Sequence, residues 1–174
     1  HRLNQIFMEP ILADHAGQMH GVDIAWRNEV VGFEQSGPSV FATMRSLDRD
    51  ETRQVQCDFL IGCDGGRSGI RRQIGAKLEG DDVLQRVQST FIRAPSLPGL
   101  QQEKPAWASF TLNPKRSGNV YAIDGIERWV VHNYLKEHEA GFDAIDRDEA
   151  IRSILGVGED FDYEVLQEMD WFGR

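Results

Sequence analysis

Leu60-Ile61-Gly62-Cys63-Asp64-Gly65-Gly66-Arg67-Ser68-Gly69-Ile70-Arg71 changes character abruptly at Asp64. With Phe59, its first part is a continuous apolar run without alternation, which predicts a strand buried on both faces. The run stops at Asp64-Gly65-Gly66-Arg67-Ser68. Ile70 and Ile74 then follow at i, i+4, and Gly75 supplies a helix stop. A strand feeding a glycine turn and a helix is a geometry that binds anions and nucleotides. Gly65 and Gly66 let the backbone come close to a ligand, and the helix N-terminus aims unpaired N–H groups outward. Ser68 caps that end or donates to a phosphate, and Arg67, Arg71 and Arg72 add positive charge. A carboxylate beside a pyrophosphate would repel it, so Asp64 reads as an acceptor for ribose hydroxyls or as a brace for the turn. An ordinary strand-to-helix turn, capped by Ser68 and flanked by surface arginines, has the same pattern, because short glycine motifs are common.

Working toward the N-terminus, residues 22–26, 29–35 and 39–47 alternate as strands, separated by turns at residues 36–38 and 48–51. Short turns imply an antiparallel meander. Leu3, Ile6, Phe7, Ile11 and Leu12 lie at helical spacing, with Pro10 inside, which predicts a short or kinked helix. Toward the C-terminus, residues 83–92, 107–112, 119–123 and 126–134 read as strands, and Asp124-Gly125 is a strong hairpin signal. Residues 94–105 carry three prolines and read as an exposed loop. Asp146 opens a helix with Glu149 three residues on, an Asp148–Arg152 ion pair, a buried stripe of Ala150, Ile151, Ile154 and Leu155, and a stop at Gly156. Residues 163–171 make a last strand. The expected class is α+β: a β-meander plus strand-turn-helix, then a mixed sheet with one covering helix.

The length of 174 residues suits one domain or slightly more. A net charge of −9 excludes the basic face that nucleic-acid binding needs. No apolar run approaches the length of a membrane span, and no signal-peptide pattern is present. Cys57 and Cys63 match no disulfide or zinc framework, so they read as reduced and the compartment as cytoplasmic. No histidine has a metal-ligand partner at useful spacing, so no metal site is expected.

The Asp64 segment resembles the Asp-Gly motif of the FAD-dependent aromatic-ring hydroxylases. These are the single-component flavoprotein monooxygenases of the p-hydroxybenzoate and phenol hydroxylase family. The family pattern is an apolar strand, Asp-Gly, two residues, Ser, two residues, Arg, and it is met at Asp64, Gly65, Ser68 and Arg71. The resemblance implies that this segment lies by the flavin pyrophosphate and takes part in use of the nicotinamide cofactor. It extends the candidate FAD contacts to Gly66 and Arg67, to Gln5, and more weakly to Arg2, since Arg2-Leu3-Asn4-Gln5 resembles the family helix before the meander. Asp124-Gly125 followed by Trp129 resembles the substrate-domain hairpin. Residues 1–80 then read as part of an FAD-binding domain and residues 81–174 as a substrate-binding domain.

The family's opening G-x-G-x-x-G and its later Gly-Asp motif are absent. Gly156-Val157-Gly158 is followed by Glu159 and Asp160 and is no substitute. The expectation is a central fragment, inactive alone and without a complete flavin site. For the parent enzyme the resemblance implies reduction of FAD by NADH or NADPH, formation of a C4a-hydroperoxide from O2, and hydroxylation of a small phenol-like substrate. The same fold also serves halogenases and reductases, and a non-enzymatic nucleotide-binding module is the rival of another class. Phe91, Trp107, Phe110, Tyr121, Trp129 and Tyr134 are candidate walls of the substrate cavity, although aromatics fill cores by default. His132 is a candidate base facing a phenol, and no catalytic residue follows from the sequence. Exposed strand edges are an invitation to associate, with a homodimer as the simplest outcome.

Overall fold

The computed structural model describes residues 3–81, 83–100 and 106–173. Arg2 and the end of the proline-rich loop lie outside the described residues. The chain divides into two compact units, His1–Glu79 and Gly80–Arg174.

The first unit begins with helix α1 (Gln5–Gln18), which continues through Pro10 rather than ending near residue 12. Proline removes one backbone bond and the helix absorbs the loss. No α1 residue is buried; Ile11 and Leu12 are 62% and 55% exposed. Strands β1 (Asn28–Ser36), β2 (Ser39–Ser46) and β3 (Thr52–Cys57) form an antiparallel meander in the order β1-β2-β3. The sequence pattern correctly places β1 and β2 but misplaces the third strand. Residues 22–26 alternate yet form no strand, and the more polar Thr52–Cys57 pairs with β2 from Val40↔Cys57 to Arg45↔Thr52. Backbone pairing onto an existing hairpin outweighs side-chain alternation here.

Residues 59–63 are also corrected. They form no strand and pair with none among the described residues, and Phe59 and Ile61 are 85% and 81% exposed. Their apolar character specifies burial, and this unit supplies no strand to bury them. Helix α2 (Gly69–Gln73) follows, is only five residues long, and is stopped by Gly75 at φ +77°. Gln73 Nε2 donates to the Phe33 carbonyl at 2.5 Å, tying α2 back to β1.

The second unit is a five-stranded sheet in the order β5-β6-β7-β4-β8, from β4 (Gln85–Arg93), β5 (Ala108–Thr111), β6 (Gly118–Ala122), β7 (Arg128–Tyr134) and β8 (Glu164–Gly173). Every pairing is antiparallel, where the sequence pattern suggests a mixed sheet. The β6–β7 hairpin turns at Gly125, φ +72°, and Asp124 Oδ1 accepts the N–H groups of Ile126, Glu127 and Arg128 at 2.9, 3.0 and 2.9 Å. Burial opposes ionisation of Asp124, but these N–H donors and the Arg128 charge hold its carboxyl below the usual range.

Helix α3 (Arg147–Leu155) covers one face of this sheet. Asp146 caps it by accepting the Glu149 N–H, and Gly156 ends it at φ +71°. Arg152 bonds Asp148 at 2.7 Å. The core lies between helix and sheet: Ile92, Ala94, Leu97, Val120, Trp129, Val131, Ile151 and Ile154. The fit is close at Gly118, where a Cβ would stand 2.4 Å from the His132 carbonyl and 2.6 Å from Ile154 Cδ1. Only glycine lets α3 and β7 approach this closely. Among the described residues no helix is long and apolar enough to cross a membrane.

Candidate functional site: a glycine turn and an aromatic sheet face

The turn after residue 63 is organised by Asp64. Its Oδ1 accepts the Ser68 hydroxyl at 2.5 Å, and its Oδ2 accepts the N–H groups of Gly69 and Ile70 at 2.7 and 3.2 Å. The Ser68 hydroxyl in turn accepts the Arg71 N–H at 2.9 Å, as an N-cap does. The bonds from Ser68, Ile70 and Gly69 lower the Asp64 pKa to about 2, so it is a carboxylate at all physiological pH. Of the two roles left open for Asp64, the geometry within this chain is that of a brace. Ser68 is buried, while Asp64 and Arg67 are exposed.

The glycines serve different ends. Gly65 sits at φ +71°, a conformation other residues rarely adopt. At Gly62 a Cβ would lie 3.0 Å from Ile70, so glycine lets the chain before the turn pack on α2. Gly66 has neither reason: its φ is ordinary and a Cβ would meet nothing within 4 Å. Glycine at an open position on an exposed turn fits close approach by something outside the chain. Arg71 Nη2 donates to the Gly66 carbonyl at 2.8 Å and spans the turn. Arg67 and Arg72 form no ion pair among the described residues, which leaves cationic charge around the turn. The amides at the start of α2 are thus taken by Asp64 and Ser68 rather than aimed outward, as the sequence pattern suggests, so what the turn offers a ligand is the charge of Arg67 and Arg72 and the open space over Gly66. Gln5, at the start of α1, donates to Glu9 and not to the turn.

In the second unit, strand alternation separates two sheet faces. Trp129 is 2% exposed, lies in the core under α3 and donates Nε1–H to the Ala94 carbonyl at 3.2 Å. It is therefore not a cavity wall. The other face carries Phe110, Tyr121, Phe91 and Tyr134, placed together by the pairs Phe110↔Asn119, Tyr121↔Val130, Phe91↔Val130 and Val87↔Tyr134. Trp107 stacks on Tyr121 at 5.6 Å between centroids. His132 lies among them, with ring centroids of Tyr121, Trp171 and Tyr134 at 5.0, 5.7 and 6.2 Å. Asn119 Nδ2 donates to both tyrosine hydroxyls, at 3.0 Å to Tyr121 and 2.6 Å to Tyr134. Burial, and the bond with Tyr121, push the Tyr134 hydroxyl up to about 12.

Asn119 and Trp171 are absent from the wall residues expected from the sequence. Asn119 shares strand parity with Tyr121, which was the available signal. Trp171 joins through β8 pairing with β4, which the sequence does not specify. Among the described residues no group of three or more His, Cys, Asp or Glu could hold a metal.

The chain thus carries a braced glycine turn after a meander in its first unit, and an antiparallel sheet with an aromatic face in its second. The chain belongs to the FAD-binding domain family, whose model matches residues 1–172. A protein named "Putative polyketide hydroxylase" from Streptomyces halstedii is 31% identical over 169 residues, 94% of this chain and 30% of that protein. The 2,4-dichlorophenol 6-monooxygenase of Delftia acidovorans is 35% identical over 78 residues, 45% of this chain and 13% of that protein. The fold is that of aklavinone-11 hydroxylase, solved with FAD and aklavinone, at a TM-score of 0.86 and 21% identity, over 98% of this chain and 32% of that one. The chain spans less than a third of the length of these relatives.

Proposed function

We propose that this chain is the central part of an FAD-dependent monooxygenase that hydroxylates a phenol-like ring with NADH or NADPH and O2. Bound FAD supplies the chemistry of reduction and oxygen activation. The chain's own residues bind and position. The Asp64 carboxylate and Ser68 hydroxyl fix the start of α2, so that Gly65, Gly66 and Arg67 present a rigid turn to the cofactor's pyrophosphate. Arg67, Arg71 and Arg72 offset phosphate charge. The aromatic face around Tyr121 and Tyr134 holds the substrate ring and excludes water from it.

The observation that carries this reading is Gly66, an uncrowded glycine with an ordinary backbone, held on a turn braced by Asp64 and ringed by arginine. A relative named for 2,4-dichlorophenol supports a phenol-like substrate. The test is made on the full-length protein. It should purify with FAD and oxidise NADH or NADPH faster when a phenol is added, with oxygen incorporated into the ring. A full-length protein that retains no flavin, or whose nicotinamide oxidation ignores every phenol offered, would contradict the proposal.

A further inference from the structure

The Asp64 turn is braced from within, but its place in the first unit depends on a different bond. The brace is local: Asp64 accepts from Ser68, Gly69 and Ile70, Ser68 accepts from Arg71, and Arg71 donates to Gly66. Strand β3 ends at Cys57, and residues 58–79 join no sheet. Helix α2 buries none of its residues, and Ile74 beyond it is 64% exposed. Apolar packing therefore holds the turn weakly. Gln73 moors it. Its Nε2 reaches 40 residues back along the chain and donates to the Phe33 carbonyl at 2.5 Å.

Strand β1 is shaped to receive this bond. It is an outer strand of the meander, so carbonyls on its open side have no ladder partner. A bulge at Val31 moves its register from Val30↔Met44 to Gly32↔Thr43. Without the extra residue, Gly32 and not Phe33 would stand opposite Ala42. The bulge thus brings the Phe33 side chain to a hollow that it shares with Val40, Ile70 and Ile74, while Gln73 takes its carbonyl.

We propose that Gln73 is a positioning residue for the cofactor: by holding α2 on the bulged edge of β1 it sets where the Asp64 turn stands, and through that the affinity for FAD. The inference rests on the reading of this turn as the one that faces FAD. Gln73 is neither cap nor brace, since Asp64 and Ser68 already hold the amides of Gly69, Ile70 and Arg71. One exposed hydrogen bond biases the moored turn over a displaced one by about fivefold. A cofactor that binds only the moored form loses apparent affinity in proportion to the fraction displaced.

The test compares the full-length protein with its Gln73→Met and Gln73→His variants. Methionine matches the length of glutamine and cannot donate, whereas histidine restores an N–H at a similar reach. FAD affinity is read from flavin fluorescence on the apoproteins, alongside denaturant unfolding and amide exchange at Gly69, Ile70 and Arg71. Gln73→Met should bind FAD about fivefold more weakly, with unfolding and amide protection as in the wild type. Gln73→His should return to within about twofold of wild-type affinity. Unchanged FAD affinity in Gln73→Met would overturn the assignment, as would a histidine variant as weak as the methionine one. So would a Gln73→Met protein that fails to fold or loses the protection of its turn, because Gln73 would then build the unit rather than position the turn. The wild-type titration separates the two readings. A wild type that binds no FAD fells the flavin reading and this inference with it, while equal binding by wild type and Gln73→Met fells this inference alone.

Discussion

Ser68 and Asp64 cap helix α2 jointly. The serine hydroxyl donates to Asp64 Oδ1 at 2.5 Å while accepting the Arg71 N–H at 2.9 Å, and the other carboxylate oxygen takes the next two amides of α2. A five-residue helix is too short to persist on its own propensity, so these side-chain bonds decide whether it forms. Ser68→Ala should cost about 1 kcal/mol, the usual value of an N-cap. Amide exchange at Gly69, Ile70 and Arg71 should rise before the β-meander loosens.

The same bonds make the turn acid-sensitive in a defined window. The Asp64 pKa stands at about 2 in the fold against an ordinary 3.8. A carboxyl lowered by folding contributes stability that is fully present above the unfolded value and is lost as the pH falls through the folded one. Protection of the Gly69 and Ile70 amides should therefore decline between these two values. Asp64→Asn should abolish that pH dependence, and an unchanged profile would show that another group controls the turn.

Gly118 joins sheet and helix in the second unit. A methyl group there would stand 2.4 Å from the His132 carbonyl and 2.6 Å from Ile154 Cδ1, and backbone cannot retreat as a flexible side chain does. Gly118→Ala should destabilise the second unit by about 1–3 kcal/mol in denaturant unfolding.

Trp129 separates core from wall. Because it is buried under α3 and bonded to Ala94, Trp129→Ala should cost about 3–5 kcal/mol. Trp107→Ala, at a half-exposed position stacked on Tyr121, should cost far less stability and should instead weaken binding of an aromatic ligand. Chemical denaturation of both variants gives the comparison.

The sequence makes some of this legible and hides the rest for identifiable reasons. Asp146, Asp124 and Gly156 act through local backbone chemistry, so the helix α3 and the β6–β7 hairpin are readable from a few residues. The third strand of the meander is not, because Thr52–Cys57 is placed by pairing with β2 rather than by a buried face of its own. Residues 59–63 read as a buried strand from their composition, but among the described residues no strand pairs with them, and composition alone does not specify a pairing partner. Phe91, Tyr121 and Tyr134 share a face through strand parity, which a sequence can express. That Trp129 falls on the opposite face follows from the same parity, and aromatic content alone conceals it. The identity of Trp171 as a neighbour of His132 depends on which strand β8 joins, a long-range choice that no local pattern encodes.

The central claim is that the Asp64 turn faces the cofactor, and Gly66 tests it most directly. Its φ is ordinary and its surroundings within the chain are empty, so Gly66→Val should change stability by no more than about 0.5 kcal/mol. The measurement is the FAD affinity of the full-length protein with and without this substitution, alongside the unfolding of both apoproteins. The account predicts equal unfolding and an FAD affinity at least about tenfold weaker in the variant, a difference of about 1.4 kcal/mol. Undiminished FAD affinity with a valine at this position would contradict it.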